Sequence, residues 1–123
     1  MPLNKKALLT GLVTAVPALM IIASGIMKLT GAEEVRQGLT AAHMVEYMPV
    51  LGLMELIFTA LFIYPKTMKL GLLLLTSYFA GAIAVDLSHA HTAVPAAVIL
   101  SLVWIAAFVR DRSAFLPVSE AAV

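Results

Sequence analysis

Apolar and polar positions fall along this chain in long blocks rather than in alternation. Apolar blocks run from about residue 7 to 27, 48 to 64, 68 to 87 and 92 to 109. The second is interrupted only by Glu55, and the third, beyond Lys69 at its start, meets no charge before Asp86. Membrane-barrel strands would alternate every second residue, whereas these blocks are continuous and rich in Leu, Ala, Ile and Met, so they predict helices. Each is near the ~20 residues needed to cross a hydrocarbon layer of about 30 Å. Pro65 follows the second block and Arg110-Asp111-Arg112 follows the fourth. Pro95 falls in the first turn of the fourth, where proline is tolerated. The expectation is an all-α fold, one domain over residues 1–123, built as a four-helix transmembrane bundle.

Charge placement gives this bundle a direction. Lys5, Lys6, Lys66, Lys69, Arg110 and Arg112 fall at one end, and Lys28 and Arg36 at the other. The positive-inside rule then places both termini and the turn at 64–68 in the cytoplasm, and the 28–47 and 87–92 connections outside. The 28–47 connection is long for a bundle loop and carries Glu33, Glu34, Arg36, His43, Glu46 and Tyr47. A short interfacial helix is expected within it. Lys5-Lys6 before an apolar run that ends in Ala23-Ser24-Gly25 also fits a signal peptide; the segment is expected to stay as a span.

Composition agrees with a bilayer as solvent. The chain is 62% hydrophobic and 12% charged, with a mean hydropathy of +1.01. Soluble domains are about 45–50% apolar and about 25% charged, and disordered chains are poorer still in apolar residues. The absence of cysteine removes thiol catalysis, disulfides and thiolate metal sites. A net charge of +1 provides no field for nucleic acid. The implied location is a membrane, with the lipid bilayer as first partner.

Ionisable residues inside such spans carry the most information, because each costs roughly 2.5–3.5 kcal/mol at the centre on insertion scales. Glu55 lies on the order of 9 Å along its helix from Pro49. Lys28 closes the first span, and Asp86 and His89 close the third. Thr10, Thr14, Pro17, Ile21, Ser24 and Lys28 form one helical stripe, Gly52, Glu55 and Thr59 a second, and Tyr78, Ala82, Asp86 and His89 a third. These stripes are expected to face inward and to line an outward polar pocket from Lys28, Glu55, Tyr78, Asp86 and His89. Ordinary readings stand beside that one. Lys28 at a span end can snorkel to the headgroups, Asp86 and His89 can be loop polars, and Lys28–Glu55 can be an ion pair locking two helices. Ser24, Tyr78 and the threonines suit hydrogen bonds between helices. Ser77 and Gly81 are a small-xxx-small pair expected to allow close helix packing. Trp104 reads as a core or interface aromatic, and the methionines as adaptable packing. Glu55, Asp86, His89 and His91 are ligand types for zinc or iron, yet their spacing follows no metal-binding pattern within a span, so no metal is assigned.

The order Ser24-Gly25-x-x-Lys28-Leu29, Leu51-Gly52-x-x-Glu55-Leu56, Pro65, Leu70-Gly71, Tyr78, Gly81-Ala82-Ile83-Ala84, Trp104 and Arg110-Asp111 resembles the DoxX-like group of small bacterial membrane proteins. The resemblance covers about residues 20 to 112. Two positions depart from it: many relatives carry histidine where Asp86 stands and glycine where Ala80 stands. The resemblance implies kinship with a subunit of thiosulfate:quinone oxidoreductases and with complexes of oxidative-stress and thiol defence. A distant branch resembles assembly chaperones for ion-channel receptors. Without cysteine, haem or flavin motifs, an oxidoreductase role rests on analogy.

Two functions of different class follow, and no catalytic residue is assigned in either. In the first, the outward pocket binds a small hydrophobic molecule, with a quinone head group as a candidate because Lys, His and Tyr donors can meet its carbonyls. In a redox version Glu55 and Asp86 exchange protons with it. In the second, the chain is a structural or assembly subunit that docks a partner membrane protein or a second copy of itself. A lock predicts similar losses of stability for Glu55→Gln and Lys28→Met. A transporter is disfavoured by the lack of inverted repeats and broken helices.

Overall fold

A computed structural model describes residues 4–117, and these are entirely helical or connecting, with no strand among them. Four long helices, α1 (Lys5–Thr30), α3 (Met48–Ile63), α4 (Met68–Ser88) and α5 (Val94–Arg110), are joined by a shorter α2 (Glu33–Ala41) and brief 3-10 turns. α1 packs on α3 and α5, and α4 packs on the same two, so the long helices form a closed four-membered ring. Three segments, Lys5–Thr30, Val45–Ile63 and Pro65–Ser88, are long and apolar enough to cross a membrane. α5 is apolar but has only 17 residues, at the lower limit of about 17 for a span.

The helix ends follow local chemistry. Asn4 caps α1 by accepting from the Lys6 N–H at 2.9 Å. Gly31 ends the same helix at φ 76°, a left-handed conformation that glycine adopts without a Cβ penalty. α3 and α5 each begin with a proline in the first turn, as do the connecting residues Pro65–Thr67. Pro17 lies inside α1, where it removes one hydrogen bond of the ladder. The 28–47 connection does contain a helix, α2, with Glu33 and Glu34 in its first turn and no buried residue.

The core runs along the ring's axis through Ile21, Phe62, Leu75, Phe79, Val103, Ala106 and Ala107. Outside it, Leu12, Leu19, Leu53, Ile57, Leu73 and Ile105 are at least half exposed. So continuous an apolar exterior is foreign to soluble monomers and suits a lipid solvent.

Close approaches between helices occur at glycines other than the one expected. Gly81 has no atom within 4 Å of the place a Cβ would occupy, and Ser77 is exposed, so Ser77–Gly81 does not form a helix contact. The pair sits on the outer face of α4. The tight contacts are instead at Gly25, Gly52 and Gly71. A Cβ on Gly71 would collide with the Phe62 backbone, and this fixes α4 against the end of α3. The threonines also depart from expectation. Thr10 and Thr14 donate to the carbonyls of Lys6 and Thr10 four residues back at 2.7 and 2.8 Å, not to another helix. Thr76 does likewise but also accepts from Trp104 Nε1 at 3.0 Å, joining α4 to α5.

Candidate functional site

The sequence places Gly25 one turn before Lys28 on α1, and Gly52 one turn before Glu55 on α3. In the fold these two turns meet. A Cβ on Gly52 would stand 2.8 Å from the Gly25 carbonyl oxygen and 3.0 Å from Lys28 Cβ. Backbone contact at this height brings the next two side chains into reach. Lys28 Nζ lies 2.9 Å from Glu55 Oε2. Ser24 Oγ donates to Glu55 Oε1 at 2.9 Å and accepts from Lys28 Nζ at 2.8 Å. The three side chains form a closed polar triangle between two otherwise apolar helices.

The triangle is buried unevenly. The Glu55 side chain is 1% exposed and that of Lys28 13%. Glu55 Oε2 has the Lys28 ammonium as its partner and no regular hydrogen bond among the described residues. The Tyr78 hydroxyl on α4 lies within interaction range of the Glu55 carboxyl. Its ring is held edge-on to Phe58 and Phe79, with centroids 6.5 and 5.1 Å away. One turn beyond Glu55, the fully buried Thr59 hydroxyl has no hydrogen-bond partner among the described residues. Glu55 therefore sits in a polar patch larger than its own ion pair.

On its exposed side, Lys28 borders a hollow of about 360 Å³ that is also lined by Gly31, Arg36, Glu46, Met48 and Pro49. Glu55, Tyr78, Asp86 and His89 do not line it. Of the five residues expected in one pocket, Lys28 alone borders this hollow. Lys28, Glu55 and Tyr78 come together, and Asp86 and His89 belong to a second group at the end of α4.

That second group is built from the α4–α5 connection. The Asp86 carbonyl accepts from the His91 N–H at 2.7 Å and closes the helix. Its carboxylate makes no ion pair among the described residues. His89 Nδ1 is 2.9 Å from the Val85 carbonyl, an acceptor that favours a proton on Nδ1. The His89 ring centroid is 5.6 Å from that of His43 and 6.3 Å from that of His91. His43 and Ala90 take positive φ values of 59° and 58°, the two non-glycine residues among those described that do so. Even so, no group of three or more His, Asp or Glu among the described residues is placed to hold one metal ion.

Sequence reasoning missed two participants. By sequence His43 is a loop residue, and nothing in its spacing ties it to His89. By sequence Arg110 is an orientation charge, but in the fold its Nη1 and Nη2 donate to the Phe62 and Ile63 carbonyls at 2.6 and 2.8 Å. It also stacks over the Phe62 ring with its guanidinium carbon 5.0 Å from the centroid. Arg110 thereby satisfies carbonyls that the end of α3 leaves without helical partners. Comparison of the chain with protein-family models, with characterised proteins and with solved structures finds no match.

Proposed function

We propose that this is an integral membrane protein of the DoxX-like kind whose outward end binds a small hydrophobic, quinone-like molecule in support of membrane redox or stress defence. The observation that carries the reading is the double position of Lys28. Its ammonium holds the sealed Glu55 carboxylate, and its side chain borders an open hollow together with Arg36. A molecule entering the hollow with a carbonyl acceptor competes with Glu55 for Lys28. A buried Lys–Glu pair contributes little net stability compared with apolar residues of the same size, so its presence inside a bundle favours a functional reading. In this reading the Tyr78 and Thr59 hydroxyls are donors for the displaced carboxylate or for the ligand. Both termini face the cytoplasm of a bacterium, and the membrane is its inner one.

Native mass spectrometry of the gently solubilised protein, with extraction of bound molecules, tests this against Glu55→Gln. A stoichiometric small molecule on the wild type that is missing from a folded variant supports binding. A bare protein in both cases, with the variant merely less stable, overturns it.

A second reading is favoured by the closure of the site. Glu55 is 1% exposed and is satisfied by Lys28 and Ser24 without any ligand. In this view the triangle locks α1 to α3 in a non-catalytic subunit that docks a partner membrane protein.

A further inference from the structure

We infer that the end of the bundle opposite Lys28 is a binding site for one anionic phospholipid. The inference rests on the bundle residing in a membrane, and it is independent of the site around Glu55. Two adjoining hollows carry it. The larger, about 750 Å³, runs along the first half of α1, with Ala7, Gly11, Ala15, Ala18, Leu19 and Ile63 among its walls. The smaller, about 450 Å³, is lined by Lys66, Lys69 and Asp111. Thr10, Pro65 and Arg110 line both, so an apolar channel opens directly into a basic chamber. Lys6 stands at the edge of the channel.

That division matches one molecule with an acyl chain and a phosphate. The threonine hydroxyls in the channel are already bonded to their own helix, so a chain passing them strips no free polar group. In the chamber, Asp111 is the single acid, and it is occupied by Ser113 at 2.8 Å and Lys69 at 3.7 Å. The cations therefore outnumber it. Arg110 gives two donors to α3 carbonyls and retains others of its five N–H groups for a phosphate oxygen. The loop charges put this end in the cytoplasmic leaflet, where anionic headgroups are drawn to clustered Lys and Arg.

Two variants leave the core untouched. Gly11 lines the channel and has no atom within 4 Å of a Cβ position, so Gly11→Leu starts its side chain in open space and directs it into the channel. Lys66→Gln with Lys69→Gln removes charge at exposed positions. The proteins are reconstituted in vesicles of equal phosphatidylglycerol and phosphatidylcholine, floated after an alkaline wash, extracted mildly, and weighed by native mass spectrometry. The wild type is expected to retain one phosphatidylglycerol. The lysine pair should lower its preference over phosphatidylcholine by roughly tenfold or more, and Gly11→Leu should abolish retention of either lipid. A wild type that floats with the vesicles yet retains both lipids equally, or neither, overturns the lipid site while leaving membrane residence intact. Retention unchanged in Gly11→Leu also overturns it. So does equal protection against heating by inorganic phosphate, which would assign the chamber to a free anion.

Discussion

The two ends of this bundle use their charges in opposite ways. At the Lys28 end a cation and a carboxylate are taken inside and spent on each other, 2.9 Å apart between two helices. At the Arg110 end the cations stay at the rim. One of them caps the carbonyls of Phe62 and Ile63, and the others face open hollows. The first arrangement makes the packing of α1 on α3 depend on an ion pair. The second makes the packing of α3, α4 and α5 depend on backbone contact and leaves the charges available. Mutations should therefore be costly at the Lys28 end when they remove charge, and at the Arg110 end when they add volume.

The largest charge effect is expected from Lys28→Met. It leaves the Glu55 carboxylate, 1% exposed, without its cation, and removing one partner of a buried pair costs about 3–5 kcal/mol. Glu55→Gln should cost less, about 1–2 kcal/mol, because the amide can still accept from Ser24. The freed Lys28 ammonium, unlike the freed carboxylate, can swing into its hollow. The similar losses that a simple lock predicts from sequence thus become unequal in the structure. Denaturant unfolding of the two variants and of the double variant measures the difference. Equal losses would show that Lys28 has no such escape, and the contrast between the ends would then reduce to burial alone.

At the other end the corresponding test is Gly71→Ala. One added methyl group meets the Phe62 backbone, which cannot rotate away as a side chain would. Overpacking of this kind costs about 1–3 kcal/mol, with backbone contacts towards the upper limit. Gly81→Ala is the control, since open space surrounds that position, and it should leave the melting temperature unchanged or slightly raised.

These glycines show what was legible in the sequence and what was not. The four apolar blocks were readable because they are long and almost unbroken by charge, and the α1, α3, α4 and α5 boundaries fall within a few residues of them. The pairing of Lys28 with Glu55 was readable because ionisable groups are scarce in such blocks and must find partners. The choice among glycines was not. Gly25, Gly52, Gly71 and Gly81 all sit in apolar helices, and only the ring order of the helices decides which three meet a backbone. His43 was hidden for a similar reason, since its approach to His89 depends on two left-handed residues, His43 and Ala90, whose conformation no local pattern announces. Of the five residues expected in one pocket, Lys28 borders the hollow at this end, while Asp86 and His89 are held at the α4–α5 connection by bonds to its backbone.

Arg110→Leu sharpens the contrast from the capping side. It frees the carbonyls of Phe62 and Ile63, an effect of about 1–3 kcal/mol if they stay dry. Arg110 borders an open hollow, so the freed carbonyls are not sealed in and a value near the lower limit is expected. Hydrogen exchange should show the loss confined to the last turn of α3 and the following turn. Spread of the effect to the Lys28 end would mean that the two ends are mechanically coupled.

The smallest effect belongs to Asp111. Ser113, through its hydroxyl at 2.8 Å, and Lys69, through its ammonium, hold this carboxyl below the usual carboxylate range. A folded pKa lower than the unfolded one, about 3.9, contributes stability that is complete above the unfolded value. That contribution is lost as the pH falls through the folded value. Asp111→Asn should therefore lower the melting temperature slightly at neutral pH, and the difference from wild type should fade as the pH drops through the folded value. Salt should shrink it as well, because the group is at the rim and screened. A difference that persists in acid would show that Asp111 acts through packing rather than charge, and would keep it under the rule of its own end.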